Sequence, residues 1–81
     1  LREMPPPVGR MMIETLQRLR TFPQSAPTIP LEGYEAYRQL NVRSFRALYR
    51  FTEEDNLVRV YCILHARRRL PASEFLRHQV F

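Results

Sequence analysis

The stretch that decides the fold runs from residue 44 to residue 70 and reads SFRALYRFTEEDNLVRVYCILHARRRL. It consists of two apolar-rich runs on either side of a charged tip, residues 52–56. The first run alternates with a period of two, because its aromatic residues fall on one face while Arg46 and Arg50 fall on the other. Alternation of this kind around a short polar connection predicts an antiparallel β-hairpin.

The second run, residues 57–64, is apolar on both faces apart from one arginine, which predicts a buried strand at the centre of the sheet. Cys62 lies in the middle of this run, and we expect it to be a buried structural thiol. The strand is followed directly by His65 and three arginines at positions 67–69. The hairpin should therefore hold a cationic cluster in a fixed place.

Upstream of the hairpin, an apolar stripe formed by Met12, Leu16 and Leu19 recurs at helical spacing. It predicts an amphipathic helix that begins at Val8, after three prolines, and ends before the Phe22-Pro23 pair. We expect the stripe to lie on one face of the sheet.

A short strand is predicted at residues 34–40, with a turn at residues 41–43, and a short C-terminal helix at residues 72–78. The predicted fold class is therefore α+β, with an amphipathic helix packed on a three-stranded antiparallel sheet. Residues 1–81 are expected to form a single domain. Because the chain starts at Leu1, we expect it to be a piece of a longer protein.

The charge of the chain is strongly basic, with a net charge of +5 and thirteen basic residues that are all arginine. The surplus is uneven, since residues 36–81 hold nine arginines against four acidic residues. A basic half of this kind favours nucleic acid, an acidic protein segment or an anionic enzyme surface as partner. A single cysteine fits the reducing cytoplasm, and no apolar run is long enough to span a membrane.

Neither a metal nor a cofactor is expected, because the two histidines, His65 and His78, are far apart and have no carboxylate at ligand spacing. No serine shows the surroundings of an activated nucleophile. A metal-free ribonuclease stays open, since arginines could surround a phosphate, but no proton-transfer group is evident beside them. An arginine-rich partner-binding face and a plain nucleic-acid-binding module are the other readings.

Three segments, Tyr37-Arg38, residues 42–50 and residues 58–69, the last ending in His-Ala-Arg-Arg-Arg, together resemble the RelE/ParE superfamily of bacterial toxins. The resemblance covers roughly residues 8–71. It implies a small toxin of a type II toxin–antitoxin system, here without the family's first strand and most of its first helix. The ending of the second hairpin strand in His-Ala-Arg-Arg looks more like the ParE branch.

The two branches imply different mechanisms. ParE-like members poison DNA gyrase and need no catalytic residues, which is the function we expect here. RelE-like members cut messenger RNA on the ribosome; in that alternative the resemblance implies Arg38, Arg46 and Arg67 as catalytic residues. Phe75 lies near the place of the RelE tyrosine and cannot donate a proton, which favours the ParE branch.

Either branch implies a cognate antitoxin, an acidic or amphipathic segment that folds as it binds and forms a hetero-oligomer with the toxin. We expect this segment to cover the apolar surface of Met12, Leu16 and Leu19. Binding of the target or partner is expected at the basic residues of the hairpin region, namely Arg46, Arg50, His65, Arg67, Arg68 and Arg69.

Overall fold

The structure, a computed structural model, describes residues 4–72. Its elements are helix α1 (Pro6–Gln17), a 3-10 turn (Arg18–Arg20), and strands β1 (Arg38–Val42), β2 (Phe45–Thr52) and β3 (Leu57–His65). The helix packs on one face of a three-stranded antiparallel sheet, so the predicted α+β class is confirmed. The expected C-terminal helix, with Phe75 and His78, lies outside the described residues.

Helix α1 begins at Pro6, two residues before the predicted start at Val8. Proline is tolerated in the first helical turn, because the amide proton it lacks has no partner there and its fixed φ already suits a helix. Its apolar stripe faces the sheet as expected. The chain then tightens into the 3-10 turn, where Leu19 is buried.

The strand order is β1-β2-β3, which makes β2 the central strand of the described sheet. Within residues 4–72 the prediction that residues 57–64 form the central strand is wrong, because β3 pairs there with β2 alone. The strand looked central because both of its faces are covered: Val58, Val60 and Ile63 pack between α1 and the sheet, and Tyr61, Cys62 and Leu64 pack on the opposite face. The strand also carries a β-bulge: Leu48 lies opposite Cys62 while Tyr49 lies opposite Val60, so Tyr61 is an extra residue, beyond which the alternation of faces is reversed.

Two apolar clusters cover the two faces of the sheet. The larger lies between α1 and the sheet, and it includes the fully buried Met12, Ala47 and Tyr49. The smaller lies on the opposite face, where the loop before β1 places Ile29 and Tyr37 over Leu48 and Tyr61. The rings of Tyr37 and Tyr61 meet edge to face with centroids 5.2 Å apart. Both faces of the small sheet therefore contribute to burial.

Strand β1 begins later than predicted, at Arg38 instead of residue 34. The preceding residues form consecutive hydrogen-bonded turns, from Tyr34 N–H to the Leu31 carbonyl (3.0 Å) and from Tyr37 N–H to the Tyr34 carbonyl (2.9 Å). These turns bend the backbone away from the extended form. The strand consequently continues through Asn41 and Val42, and the connection to β2 is the two-residue turn Arg43-Ser44, where Arg43 has a φ of 54°.

Candidate partner-binding surfaces

The arginine cluster after β3 forms a defined turn, which we call the basic turn (residues 66–69). The Ala66 amide donates to the Ser44 carbonyl at 2.7 Å, and the Arg68 amide donates to the His65 carbonyl at 2.9 Å. Both bonds tie the basic turn to the end of the sheet beside the β1–β2 connection. The side chains at positions 67–69 are exposed, so the fold presents cations on a fixed backbone.

Arg46, on the central strand β2, holds the basic turn by a hydrogen bond to its backbone. Its guanidinium donates a hydrogen bond to the carbonyl of Arg68, across the face of the sheet opposite α1. Its Nε atom is buried and has no hydrogen-bond partner within the described residues. Arg46 is therefore half-buried and acts on the backbone of the basic turn, while its charge stays close to the sheet.

Cys62 lies on the same face as Arg46 and is half-buried. Burial raises the pKa of the Cys62 thiol, and this effect outweighs the opposing influence of the nearby Arg46 charge and of a hydrogen bond with the Leu48 backbone. The thiol is consequently less ionised than that of free cysteine, which makes it a poorer nucleophile.

His65 lies on the other face of the sheet, opposite Phe45 in the β2–β3 register. The two rings meet edge to face, with centroids 5.3 Å apart and planes at 69°. The Nδ1 atom accepts a hydrogen bond from the Arg67 amide at 3.2 Å. The imidazole therefore shapes the start of the basic turn.

Arg38 lies opposite Tyr49 in the register, on the face that α1 covers, whereas Arg46 belongs to the opposite face. Its guanidinium donates to the carbonyls of Gln24 (3.2 Å) and Ala26 (2.6 Å). Arg38 thus holds the loop that follows the helix. The structure brings Arg46 and Arg67 to one end of the sheet and does not bring Arg38 to join them.

Arg50 lies opposite Arg59 on β3, and both side chains are exposed. Sequence reasoning assigned no role to Arg59. The sequence could have predicted this pair, because a hairpin register that pairs Thr52 with Leu57 across the tip also pairs Arg50 with Arg59.

Next to the hairpin tip, an apolar groove of about 480 Å³ opens between α1 and the sheet. Ile13 and Leu57 form part of its wall and are 49% and 41% exposed. Met12 and Leu19 are buried in the chain's own core, so the apolar surface that a partner could reach lies beside them. The groove lining comprises Ile13, Leu16, Gln17, Leu19, Arg20, Pro23, Phe51, Asn56, Leu57, Val58 and Val60.

The hairpin tip itself is acidic, with Glu53, Glu54 and Asp55 exposed. Gln24 donates to the Glu53 carboxylate at 3.1 Å, which links the tip to the loop after the helix. Among residues 4–72, no group of histidine, cysteine or acidic side chains could hold a metal ion. In the same part of the chain, no helix has the length and apolar character needed to cross a bilayer.

Comparison with protein families finds a match to the family described as "ParE toxin of type II toxin-antitoxin system, parDE", over residues 8–70. The match runs from the first turn of α1 through the basic turn and so includes nearly all of the described elements that form the surfaces above. No curated protein and no solved structure matches the chain significantly. Since the family match spans most of the 81 residues, the chain belongs to the ParE toxin family, in the ParE branch of the RelE/ParE superfamily.

Proposed function

We propose that this toxin inhibits growth by binding DNA gyrase, and that its cognate antitoxin prevents this by occupying the apolar groove. Membership of the ParE family implies the toxin role and the antitoxin partner. The match over residues 8–70 is the observation that carries the proposal. In cells, such a pair serves plasmid stabilisation, and its place of action is the cytoplasm.

For the gyrase contact we propose the basic turn with Arg46 behind it. Three consecutive arginines on a fixed turn offer several guanidinium groups to carboxylates or phosphates at once. Binding alone accounts for inhibition of this kind, so no proton-transfer group is needed beside the turn. The position of Arg38 supports binding over RNA cleavage, because its guanidinium holds two loop carbonyls and lies apart from Arg46 and Arg67.

For the antitoxin we propose the groove between α1 and the hairpin. Ile13 and Leu57 leave apolar surface exposed at its rim, and the floor is formed by half-buried residues of β3 such as Val58. An amphipathic segment laid in such a groove buries this surface, which favours binding.

The test uses the full-length toxin purified from its antitoxin complex and added to gyrase with relaxed plasmid. We expect loss of supercoiling and accumulation of cleaved plasmid, while transcripts from a parallel translation reaction stay intact. Substitution of Arg67 and Arg69 by glutamine should weaken inhibition, whereas the matched variant R10Q/R18Q, with the same charge change at exposed positions of α1 and the 3-10 turn, should not. Codon-phased transcript cleavage with full gyrase activity would refute the proposal in favour of a RelE-like ribonuclease.

A further inference from the structure

The cross-strand pair of Arg50 and Arg59 places two like charges side by side, and no ion pair or hydrogen bond within residues 4–72 offsets their repulsion. The two residues are direct partners in the β2–β3 register, so their Cβ atoms lie about 4.5–5.5 Å apart. Both are exposed, and within residues 4–72 neither guanidinium has an ion pair or a hydrogen bond. Like charges placed directly opposite each other destabilise a sheet. An anion bound between the two guanidinium groups would remove this repulsion.

The surroundings of the pair restrict what this anion can be. The acidic tip, Glu53 to Asp55, follows Arg50 within a few residues and is exposed. A nucleic acid laid along the pair would bring further phosphates against these carboxylates, which repels it. A peptide carries its charges on separate side chains, so it can place carboxylates at the arginines and neutral or basic groups at the tip.

The position of Arg59 connects the pair with the apolar groove. Arg59 lies on β3, whose outer edge pairs with no strand in the described part of the chain. Its neighbours Val58 and Val60 point to the other face of the sheet and line the groove. A peptide that leaves the groove around this edge therefore passes Arg59 and then reaches Arg50.

We propose that Arg50 and Arg59 form a two-guanidinium site for acidic side chains of the antitoxin, on the part of the antitoxin that leaves the groove and crosses the edge of β3. Guanidinium groups bind carboxylates in bidentate fashion, and two of them side by side fix both position and orientation. The inference rests on the proposed function, since it takes the groove as the antitoxin site.

The experiment measures the affinity of the full-length toxin for its antitoxin at low and at physiological salt, by titration calorimetry. Substitution of Arg50 and Arg59 by glutamine should raise the Kd roughly 2- to 30-fold, as expected for two solvent-exposed charge contacts, and should reduce its dependence on salt. The R50K/R59K variant keeps the positive charge and loses the planar guanidinium, so its Kd should lie between those of the wild type and R50Q/R59Q. The charge-matched R10Q/R18Q control should keep the wild-type Kd.

Thermal unfolding of the free toxin separates recognition from structure. Removal of the like-charge pair should leave the Tm of R50Q/R59Q unchanged or raise it, while the same variant binds the antitoxin less well. An unchanged Kd, or an equal loss in the R10Q/R18Q control, would overturn the proposal. Loss of gyrase inhibition with an intact antitoxin Kd would also overturn it, by assigning the pair to the target. Failure of the wild-type toxin to inhibit gyrase, with normal antitoxin binding, would instead refute only the proposed target.

Discussion

Truncation of the groove wall should weaken antitoxin binding by an amount that follows from the exposure of two side chains. Ile13 is 49% exposed and Leu57 is 41% exposed, so about half of each side chain remains to be covered by a partner. Full burial of such a side chain contributes about 1.5–3 kcal/mol, and half of it about 0.7–1.5 kcal/mol. For the double variant I13A/L57A the loss of binding free energy is therefore about 1.5–3 kcal/mol, a roughly 10- to 150-fold increase in Kd.

The assay is a titration of the antitoxin into full-length toxin, with M11A/L31A as the matched control. Met11 and Leu31 are 37% and 51% exposed and lie outside the groove, so the control removes a similar amount of exposed apolar surface. Thermal unfolding of both variants shows that each is folded at the temperature of the titration. A Kd of I13A/L57A within twofold of wild type, or an equal increase in the control, would refute the assignment of the groove.

Two further predictions concern the fold. Arg43 adopts a φ of 54°, where a side chain is strained and glycine is not. Arg43→Gly should therefore raise the free energy of unfolding by about 0.5–1 kcal/mol, whereas Ser44→Gly should not. Urea unfolding of both variants measures the difference, and equal effects would contradict a strained turn at Arg43. Burial raises the pKa of the Cys62 thiol, so the unfolded chain loses this proton first, and stability should be full below the ordinary value of about 8.5 and decline as pH rises above it. Urea unfolding midpoints between neutral pH and a pH of about 9.5 measure this loss of stability. The variant Cys62→Ala should show no such loss over that range. A wild-type midpoint that does not change with pH would contradict the prediction.

The parts of the fold that the sequence predicted are those governed by side-chain periodicity. The stripe of α1 and the alternation of β2 each repeat over several residues, so burial of one face leaves a regular trace in the sequence. The place of β3 in the sheet leaves no such trace, because its apolar side chains are covered on both faces, by α1 on one and by the loop before β1 on the other, whether the strand is central or at the side. The position of β3 at the side of the sheet was misjudged for this reason.

In the candidate site too, some features could be predicted from the sequence and others could not. The exposed arginines of the basic turn were evident from their clustering and from the strand that precedes them. The engagement of Arg38 was not, since its acceptors are backbone carbonyls of Gln24 and Ala26, and the path of a loop is set by tertiary contacts. Periodicity placed Met12 correctly on the inner face but could not tell how much of that stripe the sheet would cover.

The bulge of β3 also bears on the solubility of the toxin before its partner arrives. A long, regular strand at the side of a sheet is a template on which further copies of a chain can pair without limit. Here the extra residue at Tyr61 interrupts the row of backbone donors and acceptors, so only the short stretches before and after it remain regular. The exposed charge of Arg59 lies within the first of these stretches. Growth of fibrils by strand addition is thereby disfavoured, while one short peptide can still pair along part of the edge.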